Sequence, residues 1–330
     1  MLFNKKALAT FVTCALAATT SFSTLAATTL KLSHNQDRNH PVHKSMQYMA
    51  DKVKEYTDGE VRIRIYPNGQ LGTQRESMEL LQNGALHIAK SNASELEAFE
   101  PAYGAFNIPY IFRDRDHYYR AMEGEVGEQI LEASYNKGFI GLTYYDAGAR
   151  SFYANKEIKT PADLAGLKIR VQPSPTAVEM IKMMGGSPTP LSYGELYTAL
   201  QQGVVDGAEN NETALTTARH GEVAKIFSMD EHTMIPDVLV ISSKVWDELS
   251  ADEQQAMKKA AKESMAFHKD LWTEMTVESI EKAKSSMDVK FVAVEKQPFV
   301  DAVKPMHDAA LQNPAIADYV RGIDALVSTN

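Results

Sequence analysis

Two arginines, Arg150 and Arg170, lie beside segments that read as β-strand, and the ends of the other strands carry amides and no clear nucleophile. His34 and Asn35 follow the strand-like segment 29–33. Ser91 and Asn92 follow 85–90, and Glu209, Asn210 and Asn211 follow 204–207. In open α/β sheets ligands bind beyond the carboxyl ends of strands, so a pocket belongs at these positions. A guanidinium fork matches a planar carboxylate in bidentate fashion and keeps its charge at any relevant pH. Amides offer donors and acceptors together, which suits hydroxyl groups. Tyr193 follows the first residue of a Ser192/Glu195 capping box and offers a ring face to a sugar. Each residue also has an ordinary structural use. The arginines suit surface ion pairs, the asparagines suit strand-to-helix turns, and Tyr193 suits packing at a helix start. Glu76 suits the first turn of a helix, where the dipole favours an acid.

Other chemistries find little support. The chain has no G-x-S-x-G, Walker loop, G-x-G-x-x-G or H-E-x-x-H phrase, so neither a catalytic centre nor a cofactor is predicted. His34, His40 and His43 lie close in sequence, but no acid or cysteine completes a ligand set, and no metal site is predicted. A single cysteine, Cys14, excludes a disulfide framework. With 34 basic against 43 acidic residues and a net charge of −9, nucleic acid is an unsuitable partner. The same surplus opposes anions in general, but screening beyond about 8 Å leaves the local arginines decisive.

The elements that must position these residues alternate between strand and helix. Val61, Ile63 and Ile65 alternate with polar residues up to Pro67-Asn68-Gly69, and Val42, Met46, Met49 and Val53 recur at helical spacing. In 167–172, Leu167, Ile169 and Val171 share one face and Lys168, Arg170 and Gln172 the other. The pattern predicts an α/β fold with mainly parallel sheets. From Ser250 to about Ser286 no Pro or Gly intervenes, which predicts one helix on the order of 55 Å, long enough to bridge two lobes, with a break possible near His268. At the N-terminus, Lys5 and Lys6 precede an apolar run and a small-residue stretch ending at Ala26. Residues 1–26 therefore read as a signal peptide cleaved near Ala26, too short to anchor in a bilayer.

Four phrases carry a resemblance. They are Y-P-N-G-Q-L-G (66–72), T-P-A-D-L-A-G-L-K-I-R (160–170), S-P-T-P-L-S-Y-G-E-L-Y-T-A-L-Q (187–201) and V-D-G-A-E-N (205–210). Together they resemble the extracytoplasmic solute receptors of tripartite ATP-independent periplasmic (TRAP) transporters, of the C4-dicarboxylate-receptor type. The resemblance implies a two-lobed periplasmic binding protein, type II-like, with the long helix spanning both lobes. It implies lobe I from 27–148 plus about 236–275 and lobe II from 149–235 plus about 276–330. Arg170 matches the family's carboxylate-clamping arginine, and Arg150 a second family arginine. Asn210, Tyr193, Asn35 and Asn92 match pocket positions, and the segment after Q-L-G brings Gln74 and Glu76 near the pocket.

The phrases 144–153, 206–211 and 229–236 look like the branch that binds hexuronates such as glucuronate and galacturonate. The sequence departs from that branch at Glu212-Thr213, where a proline-containing stretch is expected. The resemblance implies a periplasmic receptor that delivers a hexuronate to TRAP permease membrane subunits. The ligand-binding set is His34, Asn35, Gln74, Glu76, Asn92, Arg150, Arg170, Tyr193, Asn210 and Asn211. Rival readings are a receptor for an aldonate, sialate or C4-dicarboxylate, a periplasmic enzyme acting on acidic sugars, and a sensory module.

Overall fold

The structure, a computed structural model, describes residues 27–327, so the expected signal peptide and Cys14 lie outside the described residues. Within them the chain builds two mixed sheets. The first contains β1 (Thr28–Ser33), β2 (Val61–Tyr66), β3 (Ile88–Asn92), β4 (Phe139–Tyr145) and β10 (Asp237–Ser242) in the order β2-β1-β3-β10-β4. The second contains β5 (Arg150–Ala154), β6 (Lys168–Val171), β7 (Ser187–Pro190), β8 (Gly207–Asn210), β9 (Ile226–Thr233) and β11 (Lys290–Ala293), in the order β11-β9-β5-β8-β6-β7. Each sheet has one strand antiparallel to its neighbours, β10 in the first and β5 in the second. These two follow the first two passages of the chain between lobes, through 146–149 and 234–236. They therefore start at the cleft where their neighbours end.

Period-two alternation explains why both faces of the first sheet are buried. Leu239 and Ile241 face a core with Leu30, Leu32, Met46, Met49 and Val53. Val238 and Val240 face another with Leu81, Tyr103, Phe106 and Ile130. The second sheet repeats this arrangement. Ile169 and Val171 pack against Met180, Ile181, Phe299 and Val303. Arg170 points to the opposite side, as the 167–172 alternation requires.

The Ala251–Met287 helix opens on a capping box. Ser250 N–H donates to Glu253 Oε2 at 2.7 Å, and Glu253 N–H donates to Ser250 Oγ at 3.3 Å. It ends at Asp288 in the left-handed region, φ 55°. Its 37 residues run without a break at about 1.5 Å each. His268 does not interrupt it. That ring lies within 2.9 Å of Ser45 Oγ and 2.7 Å of the Asp146 carbonyl, tying the helix to lobe I. Further along, Ser279 receives a bond from Thr216 Oγ1 of lobe II at 3.0 Å. No helix of the described residues is long and apolar enough to cross a membrane.

Three details differ from expectation. The strand expected from 85 begins at Ile88, and the one expected from 204 begins at Gly207. In the second case Gly203 ends the preceding helix at φ 69°, and the N–H groups of Val204 and Val205 both turn back to the Ala199 carbonyl. The chain end is also divided differently. The Ala317–Ala325 helix returns to lobe I, where Val320 and Ile323 join the core of Ala121 and Ile130. His117 and Arg120 bond its terminal carbonyls, Ile323 O at 2.7 Å and Leu326 O at 3.0 Å. An apolar stripe does not reveal in sequence which core will receive it.

The first passage between lobes turns at Gly148, φ 66°, where an added Cβ would lie 3.1 Å from Trp272 Cζ2 and 3.4 Å from Asn211 Cβ. Gly148→Ala combines a left-handed backbone with a tight contact on the bridging helix, so it should destabilise the protein by about 1–3 kcal/mol. Urea unfolding of the variant beside the native chain measures this directly.

Candidate functional site

The cleft between the lobes holds a cavity with about 510 Å³ of empty space, part of it open to solvent. Lobe I contributes Asn35, Gln74, Lys90, Asn92, Glu95 and Asp237. Lobe II contributes Arg150, Arg170, Gln172, Tyr193 and Asn210. The register of the second sheet explains the convergence. Strand β8 lies between β5 and β6, with Ser151 opposite Asn210 and Arg170 opposite Ala208. The two arginine strands thus flank the strand that carries Glu209 and Asn210.

The arginines have different states. Arg150, 4% exposed, has all three guanidinium nitrogens bonded to protein groups. Its Nε and Nη2 reach the two Glu209 carboxylate oxygens at 2.5 and 2.9 Å, Nη2 also reaches the Glu209 carbonyl at 2.8 Å, and Nη1 reaches Asn210 Oδ1 at 2.8 Å. Arg170, 1% exposed, has no carboxylate partner among the described residues. Its Nε and Nη2 both donate to the Leu191 carbonyl, at 3.0 and 2.7 Å, and Nη1 has no partner among the described residues. This orientation leaves the Nη1/Nη2 edge of the fork for a bidentate anion. Burial lowers the Arg170 pKa from its ordinary value, while nearby Glu209 opposes the shift.

Glu209 belongs to a wider network. Its Oε2 lies 3.4 Å from His232 Nε2, and His232 Nδ1 lies 2.8 Å from Asp230. Burial pushes the Glu209 carboxyl up, but Arg150 and His232 outweigh it and hold the group down at about 2. Burial pushes His232 down, but Asp230 and Glu209 outweigh it and lift the imidazolium to about 9. Two cations and two carboxylates thus neutralise one another at neutral pH. On the lobe I side, Lys90 and Asp237 form a second buried pair at 3.0 Å, with exposures of 1% and 8%. The pair is diagonal across β3 and β10, because Lys90 sits opposite Leu239.

Of the expected ligand-binding residues, Asn35, Gln74, Asn92, Arg150, Arg170, Tyr193, Asn210 and Asn211 line the cavity. Their free groups differ. Asn92 Oδ1 caps the Ala93–Leu96 helix through Glu95 N–H at 3.0 Å. Asn211 is committed to its loop, donating to the Ala147 carbonyl at 2.8 Å and accepting from Thr213 Oγ1 at 2.6 Å. Tyr193 presents its ring to Arg170, with the guanidinium carbon 6.0 Å from the centroid.

Two expected residues are not brought into the cavity. His34 uses both ring nitrogens within lobe I: Nδ1 accepts from Gln36 N–H at 3.1 Å, so Nε2 donates to His43 Nδ1 at 2.9 Å. Glu76 is exposed and bonds the Thr73 N–H and hydroxyl at 2.7 and 2.9 Å in a capping box, reaching only the outer mouth of the cleft. Sequence reading missed Lys90, Glu95 and Asp237. Lys90 was detectable as a lone charge in an otherwise uncharged strand, I-A-K-S-N. Asp237 begins an antiparallel strand, where a search of carboxyl ends does not look.

Two lobes joined through a hinge, closing over a polar cavity with an unneutralised cation, define a receptor for a small anion. Comparisons with known proteins agree. Residues 32–313 match the model for bacterial extracellular solute-binding protein, family 7 (DctP), and the chain belongs to that family. It is 40% identical over 306 residues to the uncharacterized protein YiiZ of Salmonella typhimurium, covering 92% of this chain and 93% of that one. It is similar to a TRAP periplasmic solute-binding protein of Anaerococcus prevotii solved with bound D-glucuronate (TM-score 0.88, 37% identity, 91% of this chain and 98% of that one). It is equally similar to one from a Bradyrhizobium species in complex with D-galacturonate (TM-score 0.88, 38% identity, 90% and 100%).

His232 gives this site a measurable signature. Its folded pKa of about 9 lies above the ordinary 6.5, so its stabilisation is complete below about pH 6.5 and is lost as pH rises through about 9. Ring-nitrogen NMR should show His232 protonated at pH 8. Urea unfolding should show a fall in stability over that range that His232→Gln flattens.

Proposed function

We propose that this chain is the periplasmic receptor of a TRAP transporter and captures a hexuronate, such as D-glucuronate or D-galacturonate, for delivery to the membrane permease. One observation carries the substrate class. Four residues that line a single cavity each hold a buried polar atom without a partner among the described residues: Nη1 of Arg170, Oδ1 of Asn35, Oε1 of Gln74 and Oε1 of Gln172. That set is one cationic donor and three acceptors. It complements a ligand with one carboxylate and several hydroxyl donors. A plain C4-dicarboxylate would leave the acceptors unpaired, at roughly 1–3 kcal/mol each. The uronate-bound relatives, similar over nine-tenths of the chain, support the same ligand.

In this reading Arg170 clamps the carboxylate through its Nη1/Nη2 edge, Arg150 holds the β8 end in place, and Asn35, Gln74, Asn92 and Asn210 read the hydroxyl pattern. Tyr193 covers the clamp. Micromolar affinity needs a net of about 8 kcal/mol, within reach of one charge-assisted pair and several hydrogen bonds after ordering costs. Binding without turnover fits a family of solute receptors. The leader removed near Ala26 would bring the protein to the periplasm.

A thermal-shift screen of uronates, aldonates, sialate and C4-dicarboxylates should show the largest stabilisation with a hexuronate, by mass action. Calorimetry should show Arg170→Ala weakening that ligand by about 100-fold or more, with an unchanged circular dichroism spectrum. Retained uronate affinity in Arg170→Ala would remove the clamp. A shift confined to C4-dicarboxylates would remove the hexuronate assignment.

A further inference from the structure

Charges around the cavity compensate one another with one exception on each lobe. Arg150 is matched by Glu209 and Lys90 by Asp237. What remains is one cation, Arg170 on lobe II, and one carboxyl, Glu95 on lobe I. Glu95 is 6% exposed, lines the cavity and has no salt-bridge partner among the described residues. Its Oε1 accepts from Gln74 Nε2 at 2.5 Å, while Oε2 makes no hydrogen bond among the described residues. The Glu95 backbone is held by the Asn92 cap at the end of β3, and its carboxyl by the Gln74 amide. Glu95 and the Gln74 amide that bonds it stand on the lobe I wall, where the hydroxyls of a bound acid sugar would arrive.

We propose that Glu95 makes the cavity selective for acids with a single carboxylate, rejecting dicarboxylates of similar size by like-charge repulsion. The proposal deepens the receptor reading and rests on it. A first carboxylate takes Arg170. A second would share a poorly solvated space with Glu95 and meet no spare cation, because Asp237 already holds Lys90 and Glu209 already holds Arg150. Two carboxylates in such a site cannot both ionise cheaply, so a dianion must either bind weakly or bring a proton with it. Hydroxyl groups meet the opposite response, since a carboxylate oxygen accepts hydrogen bonds from them. One side chain thus favours a polyhydroxy monoacid and disfavours the diacid, and selectivity is the difference between the two.

The groups facing Glu95 come from four elements. Gln74 lies on the Gln74–Gln82 helix, Lys90 on β3, Asp237 on β10 and Arg170 on β6. Burial raises the Glu95 pKa above its ordinary value, the Gln74 bond, Arg170 and Lys90 lower it, Asp237 raises it, and burial prevails. Acidification therefore neutralises Glu95 sooner than an exposed glutamate. It relieves the repulsion felt by a dianion.

Calorimetric titration with D-galacturonate and with galactarate, which carries a carboxylate at both ends of the same carbon chain, tests this. The native protein should prefer galacturonate by at least about tenfold, and Glu95→Gln should shrink that ratio by about tenfold, chiefly through tighter galactarate binding. Comparing both ligands in both proteins cancels the difference in ring form. Between about pH 8 and pH 5.5 galactarate affinity in the native protein should rise on acidification, by at most tenfold per pH unit, and Glu95→Gln should lack that rise. Glu95→Asp keeps the charge and should keep the discrimination, which separates charge from shape. A ratio unchanged within about twofold in Glu95→Gln, or an equal pH slope in both proteins, would overturn the proposal while leaving the receptor reading intact. If neither acid binds the native protein, the carboxylate-receptor reading itself fails and this selectivity falls with it.

Discussion

A guanidinium buried to 1% exposure without a carboxylate of its own is the constraint around which the protein is organised. Leaving a buried charge uncompensated is costly, several kcal/mol even after relaxation. The chain has 43 acidic residues from which to supply a partner, and Glu209 stands close enough to act on Arg170 electrostatically. Arg150 prevents that pairing by holding both oxygens of Glu209, while His232 and Asp230 complete the charge balance behind it. The network therefore keeps Arg170 available. Its two bonds to the Leu191 carbonyl fix the fork, and the remaining edge is the one proposed to receive a carboxylate.

Topology delivers these parts. A purely parallel sheet would present only carboxyl ends to the cleft. By inserting β5 and β10 in the reverse sense, each sheet also presents the beginning of a strand, and those beginnings carry Arg150 and Asp237. The same two strands follow passages between the lobes, so Arg150 and Asp237 come directly after the connecting segments 146–149 and 234–236. Asn211 uses its amide on the Ala147 carbonyl within that hinge, which explains why a cavity residue spends its hydrogen bonds on backbone.

Much of this was legible in the sequence, for identifiable reasons. The alternation of Leu167, Ile169 and Val171 with Arg170 fixes which way Arg170 faces, because side-chain period in a strand is set by geometry alone. The Ser250/Glu253 capping box and the absence of Pro or Gly make the long helix readable from its start. The illegible part is long-range. His34 ends a strand as a pocket residue should, yet His43 one turn into the next helix takes its ring. Glu76 satisfies a local cap, and local bonds of this kind outcompete distant roles for the same side chain. Lys90 and Asp237 become meaningful only once β10 pairs with β3, across 147 positions of sequence.

On the proposed receptor reading, the division of labour between lobes would turn capture into a conformational signal. Arg170 and Gln172 belong to lobe II, while Asn35 and Gln74 belong to lobe I, and none of the four atoms they offer is satisfied within its own lobe. On the proposed receptor reading, a single small ligand would satisfy all of them only when the lobes are together, which would make its binding energy differential between open and closed forms, the requirement for shifting a population. Direct protein contacts also bridge the lobes, since Glu97 of lobe I accepts from the Ser174 hydroxyl at 2.6 Å and from the Thr176 N–H and hydroxyl at 2.9 Å each. On the same reading, the buried atoms of the cavity residues would have the ligand as their alternative partner, and this would link occupancy to the closed surface offered to the proposed membrane partner.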